Sequence, residues 1–289
     1  MREHHGFEKE DHFHVPYESD FLSAYRLTPP APSKGTIVFS GGFDSYIEDW
    51  FPMQRYFEKA GYDFVSFEGP GQGTTLEEGG LHLTRDWHKP VGAVLDYFKL
   101  DDVTLIGLSL GGCLALRAAA FEPCVERVVT DDICSDYFEV MLGLMKPSVR
   151  TALTSLLSVW ADHLLDVIVE RARKGSVSTD WDVQQGMHVS GSKTPSEYIR
   201  KMQLYRTDDV SPLVRQDVLI LGGSEDICIP LHQFYVQIHM LTNVRSLTAR
   251  LFTREEQGHQ HCQIGNLGLQ FRVIKDWIEM LRERGEAVS

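Results

Sequence analysis

The stretch "LIGLSLGGCLALRAAA" at 105–120 passes from an aliphatic run, through a serine set between two glycines, into an Ala/Leu-rich segment. Few folds accept this pattern, because it requires a buried strand, a very tight turn and a helix packed back against that strand. The glycines let other backbone pass close by, and the turn would hold the Ser109 hydroxyl above the end of the strand. The helix N-terminus beneath it offers free N–H groups to developing negative charge. A tight turn without chemistry is the bland alternative. The flanks "DDVTLI" and "LGGCLALRAAA" supply the strand and helix that the functional reading needs.

The rest of the chain repeats the alternation. "GTIVFSGG" (35–42), "YDFVSFEGPGQG" (62–73), "DDVTLIGLS" (101–109), "ERVVTDD" (126–132), "QDVLILGG" (216–223) and "SLTARLF" (246–252) read as short buried strands. Helical spacing falls between them over 45–61, over 84–100 with Pro90 at a first turn or kink, from Leu110, over 230–241, and finally over 267–285. Apolar strands separated by helices predict a mostly parallel sheet covered on both faces, with its site at the carboxyl ends of the strands. One interval breaks the rhythm. Residues 134 to about 202 carry no strand pattern and read as Leu-, Met-, Val- and Trp-rich helices, a polar linker over 176–197 and one more short helix. We therefore expect an α/β core in two parts, 1–133 and 206–289, and a helical cap over 134–205 that lines a pocket.

Composition narrows the partners. Lys and Arg number 28 against 41 Asp and Glu, a formal charge of −13, whereas nucleic acids and anionic membranes need a basic face. No stretch approaches the roughly 20 apolar residues that span a bilayer. The start "MREHHGFEKEDHFHVPYE" is polar and aromatic and does not read as a signal peptide. The five cysteines are scattered, with no CxxC pair and no metal-ligand spacing, so a reducing cytoplasmic setting is expected.

A serine hydroxyl needs a base, and the base needs an acid to orient it. After the strand "VLILGG" comes "SEDICIP", which places Asp226, or alternatively Glu225, in the following loop. After the last strand, "TREEQGHQHCQIG" offers His259 and His261, which composition does not separate. The oxyanion donors expected are the N–H of Leu110, next to the serine, and that of Phe43 in "SGGFDSY", with Gly42 as the alternative.

Together, "SGGFDSY", "FEGPGQG", "GLSLGG", "GSEDICIP" and "EEQGHQHCQIGN" resemble the α/β-hydrolase superfamily. Within it, they are similar to the branch of 2,6-dihydropseudooxynicotine hydrolases, fungal polyketide-shortening hydrolases and fermentation–respiration switch esterases. The resemblance spans about 20–285. It implies that the histidine before Cys-Gln, here His261, is the base and that Asp226 is the acid. It also implies cofactor-free cleavage of an ester or a carbon–carbon bond. Some members of that branch carry a large N-terminal helical domain, whereas only some 30 residues precede the first clear strand here. Dimers occur among such relatives, so a homodimer stays open.

Other candidates carry less. Gly69-Pro70-Gly71-Gln72-Gly73 lacks the Lys-Ser/Thr of a phosphate loop and reads as a strand-end turn near the site. His4, His5, His12 and His14 could hold a metal but have no supporting ligand geometry, so no metal or cofactor is expected. Asp131, Asp132, Asp136 and Glu139 could place a second carboxylate near the pocket, or could be solvated loop charge. Cys262 reads as packing. An aminopeptidase lacks an assignable group for the substrate ammonium, and a non-catalytic ligand-binding protein would have no need of Ser109, Asp226 and His261 together.

Overall fold

The computed structural model describes residues 6–286. The chain runs β1 (His12–Tyr17), β2 (Asp20–Leu27), β3 (Thr36–Ser40), α1 (Phe51–Lys59), β4 (Asp63–Phe67), α2 (Gly73–Glu77), α3 (His88–Phe98), β5 (Val103–Leu108) and α4 (Leu110–Ala119). It continues with β6 (Val125–Asp131), α5 (Tyr137–Gly143), α6 (Pro147–Ser158), α7 (Asp162–Arg173), α8 (Val177–Ser190) and α9 (Pro195–Met202). The last elements are β7 (Asp217–Gly223), α10 (His232–Met240), β8 (Ser246–Phe252) and α11 (Leu267–Glu286).

The eight strands form one sheet in the order β1-β2-β4-β3-β5-β6-β7-β8, antiparallel at β1/β2 and β2/β4 and parallel elsewhere. Strand periodicity divides the core between its two faces. Ile37, Phe39, Ile106, Leu219 and Leu221 meet Met53 and Phe57 of α1 and Ile274 and Trp277 of α11. Their neighbours Val38, Leu105, Val218 and Ile220 point the other way, to Val91 and Val94 of α3 and Leu114 of α4. This is why the inner strands read as continuous apolar runs. Burying each large apolar side chain contributes about 1.5–3 kcal/mol.

Three expectations need correction. The N-terminal segment holds strands, which the sequence reading placed no earlier than 35: β1 and β2 form a hairpin at the sheet edge. Pro16 in "HFHVPY" masked the pattern, yet proline is tolerated on an edge strand that pairs on one side. The polar stretch 176–197 is no linker, since most of it is α8. Its sequence has no clear apolar stripe, so the helix is fixed by other means. The Ser176 side chain caps it by accepting from the Thr179 N–H, and Gly186 lies so close to the Tyr198 ring that a Cβ there would come within 2.1 Å. Helix α3 also starts later than expected, at His88, with Pro90 in its first turn.

Five helices, α5–α9, fill the interval between β6 and β7, and the ends of the insertion are pinned together. Tyr137 N–H donates to Tyr205 O at 3.0 Å, and Thr207 N–H donates to Ser135 O at 3.0 Å. Buried Arg117 of α4 then clamps the return, donating to the carbonyls of Arg85 and Arg206 and pairing with Asp209. Among the described residues, no helix is long and apolar enough to cross a membrane. Replacing Arg117 with Met should lower stability by about 2–3 kcal/mol in urea unfolding, because two backbone carbonyls lose their donor. A change within about 0.5 kcal/mol would show that the clamp contributes nothing.

Candidate active site

In the sheet order, β5, β6, β7 and β8 are consecutive neighbours, so the loops leaving their carboxyl ends converge. Ser109 follows β5, Asp132 follows β6, Asp226 follows β7 and His261 follows β8. The Ser109 turn is built as its flanking glycines suggest. Its φ of 56° is costly for a residue with a side chain. A Cβ on Gly107 would lie 1.9 Å from the Gly111 carbonyl oxygen, and one on Gly111 would lie 2.5 Å from the Gly41 carbonyl oxygen. Only glycine lets helix α4, strand β5 and the 41–43 loop close up around the serine. The Ser109 N–H donates to the Asp131 carbonyl at 2.7 Å.

The structure brings three of the sequence candidates into one hydrogen-bonded row. Ser109 Oγ is 3.0 Å from His261 Nε2, and His261 Nδ1 is 2.7 Å from Asp226 Oδ2. The other Asp226 oxygen accepts from the N–H groups of Cys228 (2.6 Å) and Ile229 (3.0 Å), so the carboxylate is fixed by its own loop. The alternatives lie elsewhere. Glu225 pairs with Arg254 at the surface. His259 contributes its carbonyl, which accepts from the Glu225 N–H at 2.9 Å. His12 and His14 sit in β1, His12 bonded to Ser23 and His14 stacked on Phe21; His4 and His5 lie outside the described residues.

Leu110 opens α4, so its N–H has no intrahelical acceptor. The 41–43 loop passes against Ser109, since a Cβ on Gly42 would lie 3.1 Å from the serine Cβ. What holds this loop was not read from the sequence. Buried Gln72, in the Gly-Pro-Gly-Gln-Gly turn, donates to the carbonyls of Gly41 (2.8 Å) and Gly42 (2.9 Å) and accepts from the Gly69 N–H. The turn's glycines drew attention, but its glutamine does the fastening. Buried Glu68 joins the same layer by accepting from the N–H groups of Ile47 (3.3 Å) and Thr74 (2.7 Å).

Three buried carboxylates surround His261. Burial by itself would lower the imidazole. The hydrogen bond and charge of Asp226, followed by the charges of Asp132 and Asp131, outweigh it and raise the net value. Burial lifts Asp132 to about 7, with the neighbouring Asp226 charge adding to the effect and His261 opposing it. Burial and Asp132 together push Asp131 well above the carboxylate range. Asp132, Cys262 and His261, and likewise Asp226, Cys228 and His261, bring their donor atoms within 4.8 Å of one another. Both sets include His261, so they overlap the row described above.

Residues 35–259 match the alpha/beta hydrolase fold family. The chain belongs to this family. It is 28% identical to Hydrolase LUC6 of a Fusarium species, with 92% of this chain and 68% of that protein covered. It is 33% identical over 209 residues to the 20-hydroxy-prefusarin hydrolase FUS2 of Gibberella moniliformis, covering 66% of this chain and 49% of that protein. The chain thus spans about two thirds of one of these relatives and half of the other. Among solved structures, the 2,6-dihydroxy-pseudo-oxynicotine hydrolase superposes with a TM-score of 0.67 at 21% identity, covering 92% of this chain and 66% of that one. Est1E of Butyrivibrio proteoclasticus, solved with ferulic acid, superposes with a TM-score of 0.64 at 17% identity, covering 93% and 98%. The fold and its membership in a family of hydrolases follow.

Glu68 offers a test of the electrostatics outside the serine row. Burial, chiefly, lifts its folded value from 4.5 to about 7, so between those limits the folded state keeps a proton that the unfolded chain has released. Stability from this group is therefore greatest at low pH and declines as pH rises through that window. Glu68→Gln should shrink the fall in Tm between pH ~5 and ~8, measured by thermal unfolding. An undiminished fall would remove Glu68 as a source.

Proposed function

We propose that the protein is a metal-independent serine hydrolase in which Ser109 is the nucleophile, His261 the general base and acid, and Asp226 the group that orients the imidazole. The observation that carries this reading is the continuous row from Ser109 Oγ through both His261 nitrogens to Asp226. Ser109 Oγ would attack a carbonyl carbon while its proton passes to Nε2. Asp226 stabilises the resulting imidazolium and keeps Nδ1–H pointing away from the serine. The N–H groups of Leu110 and Phe43 would hold the oxyanion, each worth roughly 100- to 1000-fold in rate. His261 returns the proton to the leaving group, and water then releases the acyl group by the same route.

The substrate proposed is a small to medium, moderately apolar carbonyl compound, cleaved at an ester or a carbon–carbon bond. Two features support this. The 134–205 segment, read as a cap, brings the Tyr137 ring to 5.2 Å from the Phe43 ring, beside the proposed oxyanion donor. The relatives' names include hydrolases of a prefusarin and of a pseudo-oxynicotine. In this reading the protein needs no cofactor and works in the cytoplasm. Its five thiols are unpaired.

Labelling with a fluorophosphonate probe tests the reading. Wild type should label rapidly at one site, and both Ser109→Ala and His261→Ala should lose about 10⁴-fold or more in rate. Failure of the folded wild type to label would end it. Because carboxylates raise the imidazole, kcat/KM on an aryl ester should fall on the acid side at a higher pH than an ordinary histidine dictates, since only neutral His261 accepts the serine proton. An acid limb at or below the ordinary imidazole range would contradict the arrangement. Comparing aryl esters with β-diketones then separates the two bond types.

A further inference from the structure

We propose that Asp132 is a positioning residue for His261, fastening the loops that carry the histidine and the acid to the end of β6 and placing a second carboxylate beside Nδ1. The inference rests on the serine-hydrolase reading and extends it.

The geometry is specific. Asp132 Oδ1 accepts from the Gly223 N–H at 3.0 Å, at the end of β7 just before the Asp226 loop. Its Oδ2 accepts from the N–H of Cys262, the residue after His261. The same Oδ2 is 3.6 Å from His261 Nδ1, outside hydrogen-bonding distance but inside ion-pairing distance. The side chain is buried, and its backbone is held in the left-handed region at φ 55°, so the residue has little freedom to point elsewhere. Cys262 and Gln263 are also left-handed, at φ 51° and 48°. The histidine loop is therefore held in a strained form by this one anchor and by Gln270, which bonds the Cys262 carbonyl and Asp131.

Burying a carboxylate with no cation of its own is costly, and solvated loop charge would avoid that cost. Among the described residues, Asp131, Asp132 and Asp226 pair with no Lys or Arg; His261 is the one base in ion-pairing contact with Asp132 and Asp226. The other titratable groups nearby are the Cys228 and Cys262 thiols, both pushed upward by burial and therefore uncharged near neutrality, and Asp44, which faces Cys228. The ionised carboxylate of Asp132 is thus of use when His261 becomes a cation. If Asp226 loses its charge, a movement of under 1 Å would bring Nδ1–H into hydrogen-bonding distance of Asp132.

The experiment compares Asp226→Asn, Asp132→Asn and the double variant in the full chain, reading fluorophosphonate labelling and the pH profile of ester kcat/KM. With a lone acid, the amide substitution costs about 10⁴-fold. Here Asp226→Asn should lose only about 100-fold, the double variant about 10⁴-fold, and Asp132→Asn should move the acid limb to lower pH because one charge beside the imidazolium is gone. An Asp226→Asn variant as inactive as Ser109→Ala, or an Asp132→Asn variant slowed equally at every pH with its limb unmoved, would overturn the proposal. Should Asp132→Asn not fold, Asp226→Asn alone decides, through its residual rate. Wild type that fails to label overturns the serine-hydrolase reading itself. Wild type that labels normally beside an inactive Asp226→Asn overturns only the role of Asp132.

Discussion

The site depends on the parallel pairing of β5, β6, β7 and β8. The loop leaving each of these strands delivers one polar side chain, one residue past β5 and β6, three past β7 and nine past β8, and four neighbouring strands bring the four together. Parallel connection makes this possible, because the chain returns to the opposite edge before each new strand, and the carboxyl edge is left to the loops and to the α5–α9 insertion. The core follows the same requirement. Strands buried on both faces must be apolar throughout, so chemistry can be placed only where the strands stop.

That edge carries a concentrated electrostatic cost. Asp131, Asp132 and Asp226 lie close together with one imidazole between them, and burial has raised the first two. Hydrogen bonds offset part of the cost, since Asp132 takes two backbone N–H groups and Asp226 takes two more. The rest is offset by packing of the sheet beneath, where residues such as Phe39, Phe57 and Phe252 are fully buried. Left-handed φ values at Ser109, Asp132, Cys262 and Gln263 belong to the same balance, being strain held in place by a rigid frame. A site assembled this way is preorganised, so little rearrangement is needed when a proton moves.

The sequence made the frame legible because local and long-range requirements coincide there. Gly107 and Gly111 exclude any Cβ for steric reasons, and a motif of that kind survives in the linear chain. Chain order alone directed attention to Asp226 and to the loop of His261, but choosing His261 over His259 took the resemblance. In the structure the imidazole that lies between Ser109 and Asp226 is that of His261. Gln72 was harder to see, since an amide that bonds two carbonyls thirty residues away leaves no local signature, and Asp132 stood among four acidic residues that the sequence did not separate. Helix α8 and the edge hairpin were missed for the opposite reason. Both are fixed by their neighbours, through Tyr198 in one case and β4 in the other, against weak or misleading local patterns.

Ester and carbon–carbon cleavage would place the same demands on this row until the leaving group departs. An alkoxide accepts the His261 proton readily at oxygen. A carbon leaving group departs only if its electrons are delocalised, as in an enolate, and the proton must then reach carbon or an enol oxygen. In the proposed reading, the difference would fall on what the helical insertion brings beside the 41–43 loop, and not on the serine, histidine and aspartate. Helix α5 is the element to consider, because Asp136 caps it by accepting from the Glu139 N–H and so fixes the start of the helix beside Phe43. Tyr137, next along, meets Phe43 with its ring. A phenol placed there could donate to a second substrate oxygen, which is what a leaving enolate would present. The core would then supply the nucleophile common to both reactions, and the insertion would decide which bond yields.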